Sequence, residues 1–141
     1  MRPRTLLPVV LLVLAGSACS SEPDTPLAEG KTVYADICSA CHGASGEGGV
    51  GPALEEVATT WPTCTEQIEW ITLGSDGWKE ANGNTYGATN KPVEGGMPAQ
   101  SSVLDPAQIA SVAAFERTTY GGVPEATTLT ECGLDATTDA D

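Results

Sequence analysis

Positive charge is scarce in this chain: 6 lysines and arginines stand against 19 aspartates and glutamates, a net charge of −13. Binding nucleic acid requires a basic footprint for the phosphates, so that role is excluded. Charge-driven adhesion to anionic lipid is excluded for the same reason. Histidine occurs once, as His42, so any site that needs two histidines from one chain is ruled out. Aromatic residues make up only 5% of the 141 positions, which leaves few large side chains to fill a core. The 16 glycines and 10 prolines favour turns over packing. A bound cofactor would supply the missing apolar bulk. Long hydrophobic runs are lacking too. The longest, residues 6–15, is interrupted by Pro8 and is about half the roughly 20 residues of a membrane-spanning helix. No stretch alternates as a β-strand would.

The apolar run fits an address better than a span. Residues 1–18 read as an export signal, with Arg2 and Arg4 in front and the small Gly16, Ser17 and Ala18 before Cys19. These small residues resemble a bacterial lipoprotein signal, in which the cysteine becomes the lipid-bearing N-terminus. The resemblance implies lipidation of Cys19 and a membrane anchor. Gly16 departs from that pattern, which prefers leucine there, and Gly16 with Ala18 also suits an ordinary signal peptidase. Either route delivers the protein outside the cytoplasmic membrane, to its outer face or the periplasm. Cysteines there are oxidised or covalently used. Loss of the two arginines carries the net charge to −15.

Residues 19–26 form the anchor cysteine and a linker, residues 27–122 a domain, and residues 123–141 an acidic tail. Three helices are expected. Residues 27–40 place Val33, Tyr34 and Ile37 at helical spacing. Thr63 with Glu66 has the form of a capping box, and Ile68 and Ile71 follow on one face. Asp105, Pro106 and Gln108 open a third helix that carries Ile109, Val112, Ala113 and Phe115 and stops at Gly121–Gly122. Between the second and third helices, residues 74–100 are glycine-rich and aperiodic. A loop of that length is functional or is wrapped on something.

The chemistry concentrates at Cys38-Ser39-Ala40-Cys41-His42. Cys-x-x-Cys-His is the attachment signature of c-type haem. Two cysteines three apart can add to the two vinyl groups of the porphyrin, and the adjacent histidine is carried under the iron. Competing readings are a redox dithiol, half a zinc site and a plain disulfide. The first leaves the histidine without a role and lacks a βαβ setting. The second lacks a second ligand pair, since Cys64 and Cys132 stand apart.

The flanks extend the motif. Gly30, Tyr34, Cys38 to Gly43, Gly51-Pro52-Ala53-Leu54, Gly95-Gly96-Met97-Pro98-Ala99 and Val112 to Arg117 together resemble the single-haem class I cytochrome c family, over residues 27–120. The resemblance implies a mainly α, class I cytochrome c fold, with three or more helices around one covalently bound haem c. It also implies a crossing of the first and last helices at Gly30 and Tyr34, with Val112 and Phe115 as partners. The carbonyl of Pro52 is implied as acceptor for the second ring nitrogen of His42.

Elimination narrows the sixth iron ligand. Met1 leaves with the signal, so Met97 is the one thioether of the mature chain. Lysines are charged and poor ligands without special burial. Met97 lies 55 residues beyond His42 on the glycine-rich loop, and the resemblance implies the same role. Cys64 and Cys132 are expected to pair as a disulfide in an oxidising compartment. Trp61, Trp78 and Tyr86 are equal candidates for contact with the haem.

The expected function is one-electron transfer on a His/Met-ligated haem. The protein is read as no enzyme, with no small-molecule substrate and with redox proteins as partners, their docking patch basic. A haem subunit of a larger respiratory or dehydrogenase complex is the alternative, and a haem enzyme or gas sensor a more distant one.

Overall fold

The computed structural model describes residues 25–135. The export signal, Cys19 and the end of the acidic tail lie outside the described residues.

Helix α1 (Pro26–Val33) starts where Thr25 accepts a hydrogen bond from the Ala28 N–H at 3.2 Å and Pro26 takes the first helical position. It runs on through a π turn (Tyr34–Cys38) into a last short helix α2 (Ser39–His42). Gly43, at φ 83°, ends it in a conformation that L residues avoid. The haem-type motif therefore sits on the last turns of one continuous helical stretch. The π turn had no signal in the apolar spacing. Such turns recur at functional sites because they rotate the residues that follow relative to a regular helix.

Helix α5 (Pro106–Thr119) begins at the expected Asp105–Gln108 capping box, with bonds of 2.9 and 3.1 Å. It crosses α1 at Gly30. A Cβ placed on Gly30 would lie 2.6 Å from the Ser111 carbonyl carbon and 2.8 Å from Phe115 Cβ. Only glycine lets the two backbones come this close. Below the crossing, Tyr34 is 2% exposed and meets Phe115 and Tyr120 at centroid distances of 5.6 and 5.1 Å. Its hydroxyl donates to the Gly43 carbonyl at 2.7 Å, joining the crossing to the end of the motif helix. Ser111 adds a hydrogen bond to Glu29 at 2.9 Å.

Helix α3 (Val57–Thr60) is a single turn, and α4 (Cys64–Asn82) follows from the Thr63–Glu66 capping box. Here the expected loop is corrected. Residues 75–82 are helical, and the glycine-rich segment starts at Gly83 rather than Gly74. Gly74 does interrupt the helix, with φ 63° and ψ −175°, but the chain resumes its turns afterwards. Two glycines in the second half hid the helix. The loop itself carries a minimal hairpin, β1 (Thr85–Tyr86) antiparallel to β2 (Lys91–Pro92), too short to show alternation.

The tail is more structured than its composition implies. Helix α6 (Glu125–Glu131) packs on α5, and Cys132 forms a disulfide with Cys64, the Cα atoms 5.2 Å apart. A cross-link over a sequence separation of 68 is worth about 4 kcal/mol in the chain-entropy model. Arg117 reinforces the join. It is 2% exposed, donates to the Trp61 carbonyl at 2.8 Å and pairs with Glu131 at 3.0 Å. The apolar residues of the tail are too few for a helical period, so its helix owes its place to these long-range contacts.

Replacing Gly30→Ala forces α1 off α5. The expected loss is about 1–3 kcal/mol, the usual cost of overpacking, read as a lower denaturant midpoint with an unchanged slope. A Gly30→Ala protein of wild-type stability would remove the crossing from its place in the fold.

Candidate functional site

A cavity of about 370 Å³ opens between the motif helix, α3, α4 and the glycine-rich loop. Cys38, Cys41, His42, Pro52 and Met97 all line it. Residues scattered over 60 positions of sequence thus share one wall-lined space. Ile37, Leu54, Val57 and Ile71 make its walls apolar.

One side is built on the motif. His42 Nδ1 lies 2.9 Å from the Pro52 carbonyl oxygen. A ring N–H directed at that carbonyl fixes both tautomer and orientation, leaving Nε2 free for the cavity. Gly51 makes the approach possible, because a Cβ there would stand 2.8 Å from His42 Cε1. The loop is held by Gly51 N–H to the Cys41 carbonyl at 2.9 Å and Gly48 N–H to the His42 carbonyl at 2.8 Å.

The cysteines of the motif are not bonded to each other. Burial, with smaller contributions from Glu116 and Cys41, pushes the Cys38 thiol up to about 12. Reactive dithiols depend on lowered thiol pKa values, commonly at helix N-termini, whereas these cysteines lie at a helix C-terminus. This geometry argues against a redox dithiol. Among the described residues no group of three His, Cys, Asp or Glu side chains converges to hold a metal ion.

The opposite side is built on the break in α4. The Ser75 N–H donates to the Met97 carbonyl at 2.8 Å, and the Met97 N–H donates to Ser75 Oγ at 3.0 Å. These reciprocal bonds clamp Met97 to α4. Gly74 is required beside them: a Cβ would lie 2.5 Å from Ala99 N and 2.6 Å from Met97 O.

Four aromatic rings close one end. Trp70 stacks on Tyr86 at 4.7 Å, and Trp61 touches both, at 5.3 Å from Trp70 and 5.5 Å from Tyr86. Trp61, Trp70 and Tyr86 line the cavity, whereas Trp78 supports them from behind and donates to the Thr85 carbonyl at 2.9 Å. Of the three rings named as equal candidates, Trp61 and Tyr86 thus reach the cavity and Trp78 is not part of its lining. Trp70 is an addition. Its spacing from Gln67, Ile71 and Gly74 marks one face of α4, but a glutamine and a glycine on that face concealed it.

The cavity also holds a buried polar pair. Gln67, 1% exposed, donates through Nε2 to Glu116 Oε2 at 2.9 Å. Glu116 is 6% exposed, and burial pushes its carboxyl up to about 8 against the opposing effect of the Gln67 bond. Gln67 Oε1 has no hydrogen-bond partner.

A family model described as cytochrome c matches residues 27–119. The chain belongs to the cytochrome c family. Covalently bound haem c is the cofactor that this family implies. The site fits this group: two cysteines and an oriented histidine face one side of an apolar hollow, and a thioether faces it from another element. Similar proteins include the cbb3-type cytochrome c oxidase subunit FixP of Azorhizobium caulinodans, 34% identical over 110 residues, 77% of this chain and 34% of that one. FixP of Bradyrhizobium sp. is 35% identical over 100 residues, 67% of this chain and 30% of that one. The cbb3-type subunit CcoP of Azospirillum sp. is 33% identical over 96 residues, 68% of this chain and 29% of that one. The chain thus spans about a third of the length of these relatives. No solved structure matches it significantly. No helix among the described residues is long and apolar enough to cross a membrane.

The clamp on Met97 yields a graded expectation. Gly74→Ala meets both a forbidden backbone angle and backbone contacts, and should cost about 3 kcal/mol or more. Ser75→Ala removes the side-chain acceptor of a half-buried N–H and should cost about 1 kcal/mol. Thermal unfolding of the two variants checks the order, and a larger loss for Ser75→Ala would contradict it.

Proposed function

We propose that this cytochrome carries one electron at a time on a single haem attached through thioethers from Cys38 and Cys41, with His42 and Met97 as axial ligands. The observation that carries this reading is the meeting of His42 and Met97, from elements far apart in sequence, on one apolar cavity. When bound, the haem supplies a one-electron iron couple with both axial positions filled, and filled positions limit ligand movement on electron transfer. Pro52 orients His42 and increases its donor strength. Ser75 holds the backbone of Met97, and Trp61, Trp70 and Tyr86 exclude water from the cavity. With no position left for substrate, the domain acts as a carrier rather than an enzyme.

We further propose export to the outer side of the cytoplasmic membrane, with Cys19 as lipid anchor and the Cys64–Cys132 disulfide suited to that oxidising setting. The partners are redox proteins. The net charge of −15 left once residues 1–18, with their two arginines, are removed favours partners with a basic docking patch, in small and transient encounters. A second reading is favoured by one observation: the relatives bear the names of oxidase subunits. In that reading the domain delivers electrons inside a larger respiratory complex. Migration of the native protein as a free monomer or within a complex separates the two.

Oxidised and reduced visible spectra of the exported protein test haem attachment and thioether ligation together. Met97→Ala should retain covalent haem, lose the sulfur-to-iron charge-transfer band, lower the potential and admit carbon monoxide. A variant with the wild-type spectrum and potential would exclude Met97 as ligand. The docking proposal predicts that the electron-transfer rate with the physiological partner falls as salt is raised; a rate indifferent to salt would leave acidity as a matter of solubility.

A further inference from the structure

We propose that Glu116 is a proton-binding site coupled to the haem: reduction of the protein by one electron is accompanied by uptake of a proton on the Glu116 carboxylate. The inference rests on the haem reading given above and concerns a residue that electron transfer alone does not require.

The geometry is that of a carboxyl group with nowhere to place a negative charge. Glu116 lines the cavity that holds the attachment motif, and it is shut off from solvent. Among the described residues its one side-chain hydrogen bond comes from the neutral amide of Gln67. The adjacent guanidinium is turned away: Arg117 serves the Trp61 and Pro62 carbonyls and Glu131. The titratable groups that face Glu116 are Cys38 and Tyr34 from the π turn and Tyr120 beyond the end of α5. All three are neutral or, for Cys38, consumed by haem attachment, so none supplies a compensating cation. Lys91 reaches the same cavity but is paired with Glu56 at 3.3 Å.

The amide partner adds independent support. Gln67 Oε1 is buried and lacks a donor. A deprotonated Glu116 can only accept, whereas the protonated acid carries an O–H that an amide oxygen accepts. Protonation therefore supplies the missing donor on the partner that Gln67 already touches. An acid and an amide satisfied in both directions avoid the penalty of an orphaned buried acceptor. Burial, against the opposing effect of the Gln67 bond, already pushes this carboxyl up to about 8.

Coupling follows from charge. A one-electron reduction adds a negative charge to the cavity beside the carboxylate, and in a low-dielectric interior this favours its neutral form. The electron comes from the redox partner and the proton from bulk water. One O–H bond forms on Glu116 and no bond in the protein breaks. By linkage, the midpoint potential falls as pH rises through the interval between the proton affinities of the oxidised and reduced forms. It is level below that interval, where Glu116 is protonated in both states, and above it, where it is ionised in both.

The experiment is a potentiometric titration of the full, haem-loaded chain across the pH range around 8, compared with Glu116→Gln. A covalent haem spectrum recorded first tests the underlying reading separately. Below the interval the two proteins should share one potential, because both carry a neutral side chain. Above it the wild type should lie lower. A tenfold difference in proton affinity between the two redox states corresponds to about 59 mV for a one-electron couple. Equal pH dependence in both proteins, or a level wild-type profile, would overturn the proposal. Should Glu116→Gln fail to fold, redox-difference infrared spectra of the wild type decide the question: a carboxylic C=O band that grows on reduction supports proton uptake, and its absence overturns it.

Discussion

The close crossing of α1 and α5 at Gly30 is the contact on which the rest of the molecule depends. It allows Ser111 and Phe115 to sit where a side chain would otherwise stand, and it brings Tyr34 under Phe115 and Tyr120. Tyr34 in turn bonds Gly43, the residue that ends the motif helix. The position of Cys38, Cys41 and His42 relative to the rest of the chain is thereby set from a point remote from the cavity. The same crossing orients α5 so that Glu116 faces the hollow while Arg117, one residue on, faces α6 and the start of α4.

The two axial candidates are held by different means. His42 is oriented through a backbone carbonyl ten residues away, in a tight loop closed by its own hydrogen bonds. Met97 is held across a long sequence separation, by a buried serine that directly follows the break in α4. The second arrangement is costly in local backbone conformation, since Gly74 adopts angles available essentially to glycine alone. A strained backbone next to a functional side chain is the usual place to find such a residue.

Of the three glutamates that line the cavity, Glu56 and Glu94 are exposed and Glu116 is buried. Among the described residues the acidic side chains are mainly exposed, where water screens them. Glu116 is screened by nothing but an amide. A glutamate that merely added to solubility would be on the surface. Its place at the cavity wall makes its charge state sensitive to whatever charge the cavity contains.

Much of the site was legible in the residues. Cys-x-x-Cys-His marks its chemistry through spacing, and a lone histidine and a lone mature methionine leave little choice of axial pair. The caps at Thr63 and Asp105 are local hydrogen-bonding patterns, and both helices begin where those patterns place them. Tertiary structure decided what no local pattern carries. The helical continuation of α4 past Gly74 was masked by its glycines, α6 by a polar composition, and Trp70 by the glutamine and glycine that share its helix face. The direction of Glu116 was undecided as well, because on a helix with buried residues on several sides, neighbours one position apart diverge by about 100°. Spacing along the chain determines which residues can share a face. Only the packing of α5 between α1, α4 and α6 determines what each face meets, and hence that one acid is sealed beside the motif while its arginine neighbour is not.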